Sequence, residues 1–185
     1  MDDTRPNLEP ASLGGALRKL IESTLISLDG VIESPHRWSL FDDEVAAFAM
    51  EQLGDYDAFV MGRVTYEKLS SRWAGVVGNP YVERINAMPK HVASRTLRDP
   101  GWNATLLGLD PADALTQLKQ QPGKDLVKYG TSRIDDLLLR NQLIDELHLW
   151  YMPVVVGAGQ RLFEDVDTSS LDLDSPASDG SATAL

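Results

Sequence analysis

Residues 124–163 read KDLVKYGTSRIDDLLLRNQLIDELHLWYMPVVVGAGQRLF. The run begins as a short apolar strand, Asp125–Tyr129, and breaks at Gly130-Thr131-Ser132. Ile134, Leu137 and Leu138 then recur at helical spacing. A second, longer strand is expected over Glu146–Val156, ending in Gly157-Ala158-Gly159. A strand that feeds a helix through a glycine turn leaves backbone N–H groups unpaired at the positive end of the helix dipole, which suits an anion. A second stretch, Met61-Gly62-Arg63-Val64-Thr65, has the same layout.

The alternation continues outward. Lys19–Leu28 is a strand ending at Asp29-Gly30; Asp42 or Asp43 caps a helix to about Leu53, with Val45, Phe48, Ala49 and Gln52 on one stripe. Ala58–Met61 is a strand, and Thr65 caps a helix over Tyr66–Arg72. Tyr81–Ala87 is a helix stopped by Pro89, His91–Ser94 and Ala104–Leu107 are strands, and Asp110-Pro111 opens a helix that ends before Pro122-Gly123. Strands alternating with helices predict an α/β fold in three layers, around a central sheet that is mostly parallel. Residues 1–16 read as a flexible arm, 17–174 as a single domain with a short edge strand at Leu171–Asp174, and 175–185 as a disordered tail.

The 185 residues suit one domain, and 43% hydrophobic and 24% charged content is ordinary for a globular protein. No apolar run reaches membrane-spanning length and no signal peptide precedes the domain, so a cytoplasmic protein without membrane contact is expected. The absence of cysteine removes disulfides, thiolate catalysis and thiolate metal sites. A formal charge of −11 argues against nucleic-acid binding. Six acids lie between Glu164 and Asp179 with no Lys or Arg among them, so the rest is only mildly acidic and can hold a local basic pocket. His36, His91 and His148 share no helix face, and no metal site is expected.

Four clusters carry candidate chemistry. At Gly62-Arg63-x-Thr65, glycine admits a ligand to the backbone, and the guanidinium and hydroxyl can hold a diphosphate; a capped turn with a surface arginine is the competing reading. Ser94-Arg95 pairs a hydroxyl with a guanidinium, as a phosphate monoester such as the 2′-phosphate of NADP requires, or is a solvated strand end. At Tyr129-Gly130-Thr131-Ser132 the two hydroxyls can donate to phosphate and Tyr129 can contact a ring, or a hydroxyl merely caps the next helix. Asp29 can orient a substrate or serve a frequent Asp-Gly turn. Trp38 and Trp73 can wall a pocket or cover the core, and Asp145-Glu146 are expected to pair with basic side chains rather than to catalyse. Gly157-Ala158-Gly159 fails as a dinucleotide fingerprint, because Leu162 stands at the third glycine position.

In order along the chain, Ser27-Leu28-Asp29-Gly30, Met61-Gly62-Arg63-x-Thr65-Tyr66-Glu67, Lys90–Arg95, Lys128-Tyr129-Gly130-Thr131, Leu143–Leu147 and Pro153–Phe163 resemble the dihydrofolate-reductase-like superfamily. The closer likeness is to the reductase domain of riboflavin biosynthesis and its stand-alone bacterial relatives. The resemblance covers about Arg18 to Phe163. It implies a single α/β domain around a mixed sheet, often a homodimer, with an NADPH-dependent reductase activity. Gly62, Arg63 and Thr65 resemble the family's diphosphate loop, Ser94 and Arg95 its 2′-phosphate reader, and Tyr129, Gly130, Thr131 and Ser132 lie in its second diphosphate turn.

Asp29 lies by the expected nicotinamide and is the catalytic candidate as proton donor, with water as the competing choice; Asp42, Asp43 and Glu44 stay unassigned. The small-molecule substrate, a heterocycle of pterin or pyrimidine type or a carbonyl compound, is expected against Trp38. The chain departs from the family pattern where Tyr129 and Ser132 replace expected glycines, and after Phe163 it shows only Leu171–Asp174 of the family's final strand pair. These departures favour an alternative, a non-catalytic nucleotide-binding or structural homodimer of the same fold.

Overall fold

A computed structural model describes residues 17–164. The chain runs β1 (Leu20–Ser27), α1 (Asp43–Leu53), β2 (Tyr56–Gly62), α2 (Arg63–Trp73), α3 (Pro80–Ala87), β3 (Lys90–Ala93), β4 (Ala104–Leu106), α4 (Pro111–Lys119), β5 (Asp125–Tyr129), α5 (Asp135–Arg140) and β6 (Glu146–Met152). Helix starts follow capping chemistry. Asp42 accepts the Val45 N–H at 2.9 Å, Asn79 accepts that of Val82, and Asp110 accepts those of Ala112 and Asp113.

The strands form one sheet in the order β4-β3-β2-β5-β1-β6, and all five pairings are parallel. Helices therefore cover both faces, as parallel sheets require. Ile21, Phe59, Met61 and Val127 pack on one face with Leu53 of α1, Tyr66 of α2 and Ile85 of α3. Leu20, Ala58, Val60 and Leu126 pack on the other with Leu115 and Leu118 of α4 and Leu138 of α5. The expected α/β three-layer architecture is thus observed. Among the described residues the one antiparallel pairing is the isolated bridge Val31–Arg161; the expected edge strand at Leu171–Asp174, the arm at 1–16 and the tail at 175–185 lie outside those residues.

Two boundaries differ from the sequence reading by more than two residues. The last strand stops at Met152 instead of Val156, since Pro153 has no N–H to continue a ladder. The second helix starts at Arg63 instead of Tyr66: the chain passes from β2 into α2 with Gly62 as N-cap, and Thr65 lies inside the first turn.

Candidate functional site

Because every ladder is parallel, the carboxyl ends of all six strands share one edge. There β3, β2 and β5 are neighbours, and the turns that follow them carry Ser94-Arg95, Arg63-x-Thr65 and Gly130-Thr131-Ser132 respectively. Gly62 pairs with Ala93, and a Cβ placed on Gly62 would meet Ser132 Oγ at 3.6 Å, so the three turns adjoin. Helix α2 leaves β2 toward one face and α5 leaves β5 toward the other. Helices that diverge from adjacent strand ends open a crevice between them, the usual ligand position in open α/β sheets.

The β2–α2 junction has the features of an anion site. Gly62 makes no side-chain cap, the first turn holds no acid, and α2 is eleven residues long. Its first N–H groups have no helical partner and face the positive end of the dipole. Arg63 is exposed and bonds both Glu67 carboxylate oxygens at 2.8 Å along the helix, so its guanidinium is partly neutralised in place. Beside it, Ser94 Oγ accepts the N–H groups of Thr96 and Leu97 at 3.2 and 2.9 Å, which leaves the hydroxyl proton free to donate. Arg95 is exposed and makes no ion pair among the described residues.

The β5–α5 turn is built differently. Gly130 has φ +66°, a conformation that favours glycine. The Ser132 N–H donates to Asp135 Oδ2 at 2.6 Å, and the Gly130 N–H to Ser23 O at 2.9 Å. A carboxylate thus already occupies part of the turn that the sequence reading gave to phosphate; the Ser132 hydroxyl donates a long bond to Asp135 Oδ1 at 3.4 Å, and Thr131 with that weakly held hydroxyl is what remains for a ligand. Tyr129 does not reach it. Its ring stands edge-on to Phe59 at 4.9 Å and its hydroxyl bonds Tyr81 at 2.8 Å, while burial holds its pKa well above the ordinary value. Strand alternation turns Tyr129 to the α1–α3 face, which corrects its assignment as a ring contact.

Asp29 is also recast. Its carboxylate accepts the Val156 N–H at 3.0 Å, the Ser27 hydroxyl at 2.7 Å and the Gly157 N–H at 2.8 Å, and these bonds lower its pKa to about 2. Such a carboxylate has no proton to give near neutrality. It ties the β1 turn to residues 156–157. The Trp38 indole N–H closes its own loop on Glu33 O at 2.8 Å, and Trp73 packs against the core beside Tyr81. Asp145 and Glu146 pair with Lys119 and Lys19, each at 2.5 Å, as expected of structural acids.

The sequence reading missed a buried charge cluster under the second turn. Lys128 is 1% exposed; its ammonium lies 2.7 Å from Asp135 and 3.2 Å from Glu22, and it also donates to Gly130 O. The available signal was a charge within an apolar run, Glu22 in KLIESTL and Lys128 in DLVKY.

The comparisons with known proteins agree with this architecture. Uncharacterized protein YyaP of Bacillus subtilis (strain 168) is 27% identical over 157 residues, which span 80% of this chain and 82% of that one. A protein of Shewanella sp. PV-4 named for riboflavin biosynthesis superposes with a TM-score of 0.63 at 23% identity, covering 82% and 86% of the two chains. The dihydrofolate reductase of Enterococcus faecalis, complexed with NADP(H), superposes with 0.53 at 16% identity over 82% and 80%. A deaminase/5-amino-6-(5-phosphoribosylamino)uracil reductase of Thermotoga maritima gives 0.55 at 18% identity, over 87% of this chain and 51% of that one. The model of the RibD C-terminal domain matches residues 18–185, and the chain belongs to that family.

Proposed function

We propose that the protein is an NADPH-dependent reductase of a small heterocyclic or carbonyl substrate. The observation that carries this reading is the adjacency of three strand-end turns on β3, β2 and β5, which together offer a monoester site, an uncapped helix N-terminus and a pair of hydroxyls. The residues fit the dinucleotide best on the α2 side, where no acid competes and glycine keeps the backbone open. Gly62, Arg63 and Thr65 would hold the diphosphate from the β2 side, Thr131 and Ser132 from the β5 side, and Ser94 with Arg95 the 2′-phosphate. NADPH supplies hydride, as it does in its reductases generally. The complexed cofactor of the Enterococcus enzyme and the reductase activity named for the Thermotoga protein support the same class. With Asp29 ionised and tied to residues 156–157, water is the proton source in this reading, and Asp29 shapes the loop beside it.

A second reading has one observation in its favour. The Ser132 N–H is bonded to Asp135, so the β5 turn offers phosphate fewer donors than a free glycine turn would. A nucleotide-binding homodimer without turnover is consistent with that. Titration of NADPH against tryptophan fluorescence, followed by cofactor oxidation over a panel of heterocycles and carbonyl compounds, separates the two. Saturable binding with oxidation supports the reductase; saturable binding without oxidation of any panel member supports the second reading. Ser94→Ala/Arg95→Ala should weaken NADPH at least tenfold more than NADH, and equal losses would refute the 2′-phosphate assignment.

A further inference from the structure

Glu22, Lys128 and Asp135 are 3%, 1% and 5% exposed and meet under the Gly130–Ser132 turn. The set holds one ammonium and two carboxylates. Lys128 bridges the two acids and donates to Gly130 O, while Asp135 accepts the Ser132 N–H and stands 3.4 Å from the Ser132 hydroxyl. The cluster therefore sets the conformation of the turn from below.

Two buried carboxylates that are both ionised beside a single cation leave an uncompensated charge in a poorly solvated place, so ionisation of the second is disfavoured. The charged groups that face Glu22 are Lys128 from β5 and Asp135 from α5; its β6 register partner is the apolar Leu147, and its same-face strand neighbours are Leu20 and Thr24. Asp135 is committed to both the lysine and the Ser132 N–H, whereas Glu22 has only the longer contact to Lys128. Glu22 is thus the acid whose charge is least supported, in line with its pKa, which burial chiefly pushes up to about 7, so both of its forms are populated near neutrality.

We propose that Glu22 is a proton store for the second cofactor turn: when a dinucleotide's diphosphate settles on Thr131 and Ser132, the added negative charge raises the protonated share of the Glu22 carboxylate, drawing a fraction of a proton from solvent, and Lys128 and Asp135 act as positioning residues that hold the turn while it does so. The inference rests on the reductase reading only in placing a diphosphate at this turn. One O–H bond forms on Glu22 and the buffer gives up the proton; nothing else changes covalently. By linkage, protonating Glu22 strengthens binding, and raising the pH through 7 weakens it.

The test is calorimetric titration of the whole chain with NADPH at pH 7.5 in two buffers of different ionisation heat, beside Glu22→Gln. The wild type should take up a larger fraction of a proton than the variant. Its Kd should also rise roughly three- to tenfold more between pH 6 and 8.5 than that of the variant, the size expected for a partly screened charge. The comparison cancels titration of the 2′-phosphate itself. Asp135→Asn removes the surplus charge by another route and should abolish the extra uptake too, which keeps the question answerable if Glu22→Gln does not fold. NADPH binding with equal proton uptake in wild type and variants overturns the proton store and leaves the reductase reading standing. Absence of NADPH binding overturns both.

Discussion

Gly62 looks directly onto Ser132: a methyl group added at the glycine would stand 3.6 Å from the serine Oγ, an ordinary van der Waals contact. The glycine is not demanded by its backbone either, since φ −77° and ψ 162° are open to any residue. Gly62→Ala is therefore expected to fold with a stability change within about 0.5 kcal/mol. The same Cβ would stand between the two turns assigned to the diphosphate. NADPH affinity should fall at least tenfold with the melting temperature nearly unchanged. Unaltered affinity in a fluorescence titration would remove the diphosphate from this junction.

Asp29 gives a prediction with a sign in pH. Its folded pKa of about 2 lies below the ordinary aspartate value of 3.8, so the unfolded chain binds more protons between the two. The stability that this carboxylate contributes is fully present above pH 4 and is lost as the pH falls through 2. Asp29→Asn should melt lower than the wild type at pH 7, and the gap should narrow between pH 4 and 2. In the proposed reaction, the variant should keep the shape of the pH–rate profile, because Asp29 donates no proton. Loss of the limb in which the rate falls as the pH rises would restore Asp29 as the general acid.

The carboxyl-edge turns were legible in the sequence because each one is local. A strand, a glycine and a helix follow one another in a few residues at Gly62 and Gly130, and parallel strands then force such turns onto one edge. The positions of Tyr129 and Asp29 were legible only in part. The turn near each was identified, but the side-chain partners Tyr81, Val156 and Gly157 lie 48 to 128 residues away. The same holds for Glu22 and Lys128, 106 residues apart and brought side by side by the β1–β5 pairing. Thr65 was misplaced for a local reason: a threonine before a helical run reads as a cap, yet here the strand passes into the helix two residues earlier.

Thr24 follows from that same pairing. β1 pairs with β5 as far as Ser23–Tyr129, and Thr24 is the next residue, 2% exposed, with a hydroxyl that has no partner among the described residues. A buried hydroxyl without a hydrogen bond costs about 1–3 kcal/mol of desolvation. Valine keeps the shape and removes the oxygen. Thr24→Val should raise stability by about 1 kcal/mol, a gain of about 2–4 °C in Tm for a chain of this size. A lower melting temperature would show that the hydroxyl has a partner in solution, such as an ordered water.

Lys90 is 0% exposed and caps α3 from its carboxyl end: its ammonium donates to Met88 O at 2.7 Å, to Asn86 O at 3.1 Å and to Ile85 O, and lies 4.4 Å from the centre of the Trp102 ring. These contacts place a cation at the negative end of the helix dipole and give donors to its last carbonyls. Lys90→Met keeps the length of the side chain and removes the donors, so the variant should lose about 2 kcal/mol. Burial nonetheless lowers the lysine pKa to about 8, against an ordinary value of 10.5. The unfolded chain then binds more protons than the folded one between those values, and the wild type gains stability as the pH rises from 8 toward 10.5. The methionine variant has no such group, so the stability gap between the two should widen over that range in urea titrations. A gap that stays constant from pH 7 to 10 would mean that Lys90 titrates as it does in water, and that the carbonyl cage does not desolvate it.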